Sequence, residues 1–199
     1  MRPARFARSV LVALAAISLS ACGLNSVPTA EENAKARWAD VQAAFQERAN
    51  LVPNLAEVAR RAAEQERETL TEVVEARARA TSIQITADDL TDPAKMAQYA
   101  AAQNQLSQGL GRLLANFEAY PQLASITNYQ MLQSQLEGQE NRIRISVRDY
   151  NQAVQQYNTT IRTFPDAIGA KLFYSAKPMA TYEATTPGAD VAPSLEGKL

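Results

Sequence analysis

The chain has 199 residues, with 20 Lys and Arg against 21 Asp and Glu and no histidine. That balance leaves no electrostatic footprint for nucleic acid and no basic face for anionic lipid. The absence of histidine excludes Ser-His-Asp and Cys-His nucleophile systems, HExxH zinc sites and Glu-x-x-His di-iron sites.

Seven scattered glycines form no phosphate loop, and one cysteine cannot make a C-x-x-C-H haem attachment, so no cofactor or metal is expected. Ala, Gln, Glu, Arg and Leu dominate and aromatic residues are few, a composition that favours long helices over sheets. The length suits a single domain with a genuine core.

The N-terminus reads as a secretory signal peptide over residues 1–21. Arg2, Arg5 and Arg8 precede an apolar run, Ser9 to Leu19, that is too short to span a bilayer, and small residues follow. Leu19-Ser20-Ala21-Cys22 resembles the bacterial lipobox, which implies acylation of Cys22 and cleavage before it. The other reading is an ordinary signal peptide cut after Ala21, which leaves a free thiol. Two or three acyl chains would anchor stably where one is marginal. Gly23 follows the cysteine instead of the aspartate associated with inner-membrane retention, which favours the outer membrane. Removing residues 1–21 leaves 17 basic residues against 21 acidic, a net charge of about −4.

Residues 22–30 read as a lipidated N-terminus and flexible tether. From Glu31 the chain reads as helical. Trp38, Val41, Phe45, Val52 and Leu55 form one stripe of a 3.6-residue period, and Leu70, Val73, Val74 and Ala76 continue it toward Ala80. TSIQITADDLTD interrupts the pattern. Asp92 reads as an N-cap with Pro93 at the first helical position. Met96, Tyr99, Gln103, Leu106, Leu110, Leu113, Phe117 and Tyr120 make the next stripe, ended by Tyr120-Pro121. The last and longest runs from Ile126 to Phe164 in alternating steps of three and four, a bundle seam.

Pro53 either kinks one long helix or starts a new one. The stripe keeps its phase through Pro53, which fits a kink. A turn there gives helices of comparable height, and VPNLA resembles YPQLA; on that ground we expect the turn. The expected fold is an all-α, antiparallel up-and-down four-helix bundle over residues 31–173. A disordered tail is expected over residues 174–199, where Pro and Gly interrupt a stretch poor in large apolar residues.

Polar residues on the apolar stripes stand out: Arg48, Glu66, Gln103, Gln133 and Glu140. A charge facing a core needs a partner. With a turn at Pro53, Arg48 and Glu118 lie at the same end of the bundle, so that pairing is expected. The alternative is that Arg48 snorkels to water. For Glu66, Gln133 and Glu140, fixing the helix register is favoured over binding a ligand. The pairs Glu31-Glu32 and Asp88-Asp89 read as solvated, not catalytic.

These residues resemble the LemA family. ERANLVPNLAEVA (47–59), carrying Arg48, Pro53 and Asn54, is similar to its R-x-x-L-I-P-N-L signature. QERETLTEVVEARA (65–78), NQLSQGLGRLLANFEAYPQL (104–123) and LEGQENRIRISVRDYNQAVQQYNTTIRTFP (136–165) match its following blocks in order, from about Glu31 to Phe173. The resemblance implies an antiparallel helical bundle facing out of the cytoplasm on a membrane anchor, in a family without an assigned chemistry.

Members commonly carry an N-terminal transmembrane helix, and this chain has a lipobox instead. Members often have His where this chain has Gln65, which weakens any metal or proton role at Glu66. Tyr150-Asn151 and Tyr157-Asn158 match the family's repeated YN and share one helical face. Tyr packing with Asn bonding across the seam is favoured there over a partner-binding patch.

The expected function is a non-enzymatic, lipid-anchored scaffold or adaptor for envelope proteins that faces the periplasm. Its contact patch would lie near the Pro53/Pro121 end or along Tyr150–Asn158; the partner and oligomeric state are open. The alternatives are a periplasmic module holding a lipid or small ligand between helices, and an enzyme using Glu66 or Glu140 as general acid or base. The seam residues are bulky enough to fill a ligand cavity, and nothing in the sequence shows the raised pKa or open cleft that an enzyme needs.

Overall fold

The computed structural model describes residues 3–62, 67–118 and 127–183, with side chains placed over 25–58, 68–116 and 130–183. The elements are α1 (Pro3–Ala62), α2 (Arg67–Ser82), a 3-10 turn (Asp88–Thr91), α3 (Pro93–Glu118), α4 (Thr127–Thr160) and a short α5 (Asp166–Leu172). The four long helices pack as expected. Arg142 and Gln139 of α4 reach Glu47 of α1, while Asp166 beyond the end of α4 meets Ser26 near the start of the packed part of α1, so the two run antiparallel. Arg112–Glu72 and Gln103–Ala80 fix the opposed register of α2 and α3 in the same way.

α1 corrects two expectations. The tether is helical, and Val27 and Ala30 are buried in the core. The stripe thus begins earlier than expected, at Val27, Ala30, Ala34 and Trp38. The helix also runs through Pro53, with no turn there. Proline has no N–H to donate, and its ring crowds the carbonyl four residues back, so the Ala49 carbonyl loses its helical donor. Arg77 of α2 replaces that donor: its Nε–H donates to the Ala49 oxygen at 2.8 Å. A helix interior tolerates proline when a neighbouring helix satisfies the freed acceptor, and this one does.

The α2–α3 connection is built locally. Asp89 accepts from the Thr86 N–H and hydroxyl at 2.9 and 2.8 Å, and it is paired with Lys95. Asp92 caps α3 as expected, its Oδ1 accepting from the Ala94 and Lys95 amides at 2.9 and 3.3 Å with Pro93 opening the helix. At Gly109 α3 approaches α2 closely, and a Cβ there would stand 3.3 Å from Val73 Cγ2.

The core divides along the length of α1. Toward Ala62, Val52 and Leu55 meet Leu70 and Val73 of α2, Leu106, Leu110 and Leu113 of α3 and Leu136 of α4. Toward Val27, Trp38 and Phe45 meet Tyr99, Tyr150, Val154 and two residues from beyond α5, Met179 and Tyr182. The expected tail therefore starts too early. Residues 175–183 form an extended strap that lies on the bundle, entered through Ser175 at φ 46°. Residues 184–199 lie outside the described residues.

Candidate functional site

Two polar constellations sit on the apolar seams. The first centres on Arg48, which is 1% exposed. Its Nη1 donates to Glu140 Oε1 of α4 at 2.8 Å and to the Ser107 hydroxyl of α3. Its Nη2 donates to Gln103 Oε1 at 2.9 Å and to the Gln103 carbonyl at 3.2 Å. The guanidinium carbon lies 5.1 Å from the Phe45 ring centroid, within reach of a cation–π contact. Gln103 in turn donates its amide to the Ala80 carbonyl in the last turn of α2, a group no intrahelical donor can reach. One buried cation thus ties α1, α3 and α4 together, and through Gln103 it reaches α2.

The expected Arg48–Glu118 pairing falls on a Glu118 side chain outside the described residues, and the Arg48 guanidinium is directed to Ser107, Gln103 and Glu140 instead. Glu118 lies eleven residues beyond Ser107 on α3, about 16 Å along the axis. The expectation required a helix end at Pro53; with α1 continuous, Arg48 sits mid-bundle beside Glu140, which was singled out but not paired with it. Arg48 also does not snorkel, since Glu140 is half exposed and carries the link to water. Gln133 lies partly buried beside Glu137 on α4. Asn54 is exposed next to Pro53. Glu66, Tyr120 and Pro121 lie outside the described residues, as do the side chains of Cys22 and Glu118.

The second constellation is the pair of Tyr-Asn steps on α4, and both asparagines engage the strap. Asn158 donates to the Met179 carbonyl at 2.8 Å and accepts from the Met179 N–H at 2.9 Å. Asn151 repeats the pattern on Tyr182, at 2.9 and 2.8 Å. Each carboxamide therefore meets one residue's N–H and C=O as a neighbouring β-strand would, and the seven-residue spacing puts both on one face of α4. The Tyr150 hydroxyl donates to the Ala180 carbonyl at 2.8 Å, and the Ala180 N–H donates to the Leu90 carbonyl at 2.8 Å. The asparagines were expected to bond across the helical seam; their partner is instead the main chain of the chain's own C-terminal segment.

The clamp drives Tyr182 into an aromatic cluster. Its ring lies 5.6 Å from Phe45, 6.4 Å from Tyr99 and 6.5 Å from Trp38, and Trp38 lies 5.0 Å from Tyr150. Burial pushes the Tyr99 hydroxyl up to about 12, while the nearby Arg48 cation pulls the other way. Burial raises Tyr150 and Tyr182 as well, so all three stay neutral across the physiological range, and Tyr150 keeps the proton it donates to Ala180. Tyr157 packs on the same face and is buried.

Among the described residues no three acidic or cysteine side chains converge as a metal site requires. No described helix is long and apolar enough to cross a membrane. A cleft of about 490 Å³ opens between the start of α3 and the strap, lined by Pro93, Met96, Ala97, Asn158, Met179 and Thr181 among others.

Comparison with known proteins gives partial relatives and one family. Magnetosome proteins MamQ 1 and MamQ 2 of Paramagnetospirillum magneticum (strain AMB-1) are each 36% identical over 64 residues, covering 32% of this chain and 24% of each relative. Protein LemA of Metamycoplasma hominis is 28% identical over 99 residues, half of this chain and 41% of that protein. The chain thus spans less than half the length of each of these curated relatives. The LemA family model covers far more, matching residues 37–196, which takes in the Arg48 network, Pro53 with its Arg77 partner, both Tyr-Asn steps and the strap. On that match the chain belongs to the LemA family.

Proposed function

We propose that this protein is a non-enzymatic envelope scaffold, anchored by lipid on Cys22 and holding a binding surface at a set distance from the membrane. The observation that supports the reading is that α1 is one continuous helix carrying Cys22 just ahead of its packed part. From Ser26 to Ala62, α1 is an unbroken helix of roughly 55 Å. The Arg48 network locks it to its neighbours halfway along. Large aromatic side chains fill the half nearer Cys22, and the polar network joins α1, α3 and α4 through buried hydrogen bonds. The expected periplasmic, outer-membrane placement and the absence of enzymatic activity belong to the same proposal.

The test is crosslinking in cells followed by mass spectrometry, comparing wild type with Cys22→Ala. Recovery of one envelope protein from the anchored form alone supports a positioned adaptor. Recovery of nothing specific from either form rejects it. A second reading, a module that holds a lipid or small ligand, draws on the open cleft beside Met96 and Met179. Native mass spectrometry of the purified protein separates the two, because the ligand reading requires a bound small molecule at stoichiometric occupancy.

A further inference from the structure

Among the described residues, most of the large apolar side chains left in water cluster in one short segment. Phe164 is 82% exposed, Leu172 71% and Phe173 69%, with Ile168 also open. Four such residues within ten positions are more than scattered surface hydrophobics, and exposed patches of this kind mark interaction surfaces. Ile168 and Leu172 stand one turn apart on α5, with Phe164 just before the helix and Phe173 at its end. Arg162, Lys171 and Lys177 flank them and are exposed. Long basic side chains can keep their charges in water while an apolar neighbour is immersed.

The position of the segment says what covers it. The Ser26 hydroxyl donates to Asp166 at 2.6 Å, which pins α5 to the start of the packed part of α1. The end of α4 lies there too, since Asn25, Ser26 and Thr29 share a cleft with Gln156 and Thr160. Ser26 is four residues after Cys22 on the same helix. A membrane held through Cys22 therefore lies within a few residues of Phe164 and Phe173.

We infer that Phe164, Ile168, Leu172 and Phe173 form a membrane-contacting face that seats the anchored end of the rod in the headgroup–acyl boundary. The inference rests on the anchored reading above. The contact is apolar, so it needs no anionic lipid and is insensitive to salt, in keeping with the acidic net charge of the chain without residues 1–21.

The experiment uses the full chain purified from membranes and reconstituted in phosphatidylethanolamine–phosphatidylglycerol vesicles whose acyl chains are partly brominated. Three variants, Phe164→Trp, Phe173→Trp and Met131→Trp, each add a reporter at an exposed site, and buried Trp38 supplies a constant background. Met131, near the start of α4, is the control at the far end of the rod. Side chains at the boundary sit about 5–10 Å deep, so Trp at 164 and 173 should be quenched about twofold more strongly than at 131.

Flotation with the vesicles reads the anchor separately. Flotation with quenching at 164 and 173 supports the face. Flotation with quenching no greater than at 131 overturns the face and leaves the anchor intact. Blue-shifted emission at 173 without quenching means that protein, such as a second copy, covers the face, and this also overturns it. Failure to float overturns both readings.

Discussion

Replacing Glu140 with alanine takes the counter-charge from the almost fully buried Arg48 cation and leaves it Ser107 and Gln103, whereas replacing Arg48 leaves a half-exposed carboxylate that can turn to water and a buried Gln103 oxygen without its donor. The two substitutions should therefore differ. Removing the counter-charge of a buried cation costs about 3 kcal/mol, while exchanging the cation for an apolar side chain of similar volume costs about 1–2 kcal/mol through the orphaned Gln103 oxygen. Glu140→Ala is thus expected to destabilise more than Arg48→Met, and Glu140→Ala made on top of Arg48→Met should cost about 0–0.5 kcal/mol. Urea unfolding of the three variants measures this, and equal costs would reject the assignment. At this scale the sequence exposes which residues matter but not their pairing. Arg48, Gln103 and Glu140 all stand out as polar positions on apolar stripes. Which helix brings which partner depends on the register, and the register depends on reading Pro53 correctly.

Pro53 and Arg77 act as one unit across two helices. Arg77→Ala leaves the Ala49 carbonyl without a donor and should cost about 1–2 kcal/mol. With Pro53→Ala the helix regains its own N–H donor, and the same Arg77→Ala change should cost clearly less. A double-mutant cycle on unfolding free energy decides the point, and additive effects would dismiss the substitution of one donor for the other. The stripe that keeps its phase through Pro53 already signals a continuous helix. The residue that makes continuity tolerable stands on α2, where local reading does not look.

The Asp92-Pro93 start of α3 is legible because cap and helix are adjacent in sequence. Nearby, Asp89 has its carboxyl held at about 2, chiefly by the Lys95 hydrogen bond and then by the Thr86 amide and hydroxyl, against an ordinary value of 3.8. A depressed carboxylate stabilises fully above its unfolded value and loses that contribution as pH falls through the folded one. The turn's contribution should therefore be constant above about pH 4 and disappear toward pH 2. Asp89→Asn should flatten that part of the acid-unfolding curve, followed by circular dichroism.

For the molecule as a whole, the strap is a structural member. A chain ending at Glu183 keeps every strap contact described above, whereas one ending at Phe173 loses Met179 and Tyr182 from the core. Losing two buried side chains of that size costs several kcal/mol, about 2–5 each. At this length each kcal/mol moves Tm by about 2–4 °C, so the shorter chain should melt about 8 °C or more below the longer. Asn158→Ala should act more gently, at about 1–2 kcal/mol, and should speed hydrogen exchange at the Met179 amide that it holds. The four-helix plan is legible because helical periodicity repeats over many turns. The strap is not, because its two anchors stand three residues apart in a segment without periodicity, and their burial depends on residues far away in the chain.

That long-range closure affects the order in which the molecule can be completed. Trp38 and Phe45 are among the first core residues to be made, and Tyr182, which covers both, is among the last. Until the strap is available, the aromatic face of the first helix has no lid, however well formed the helix is. Contacts between residues so far apart in sequence are slow to form, so the last steps of folding wait on the strap. The strap therefore makes the bundle self-checking: a chain that stops before Tyr182 leaves its aromatic face open, and only one that reaches the strap covers it.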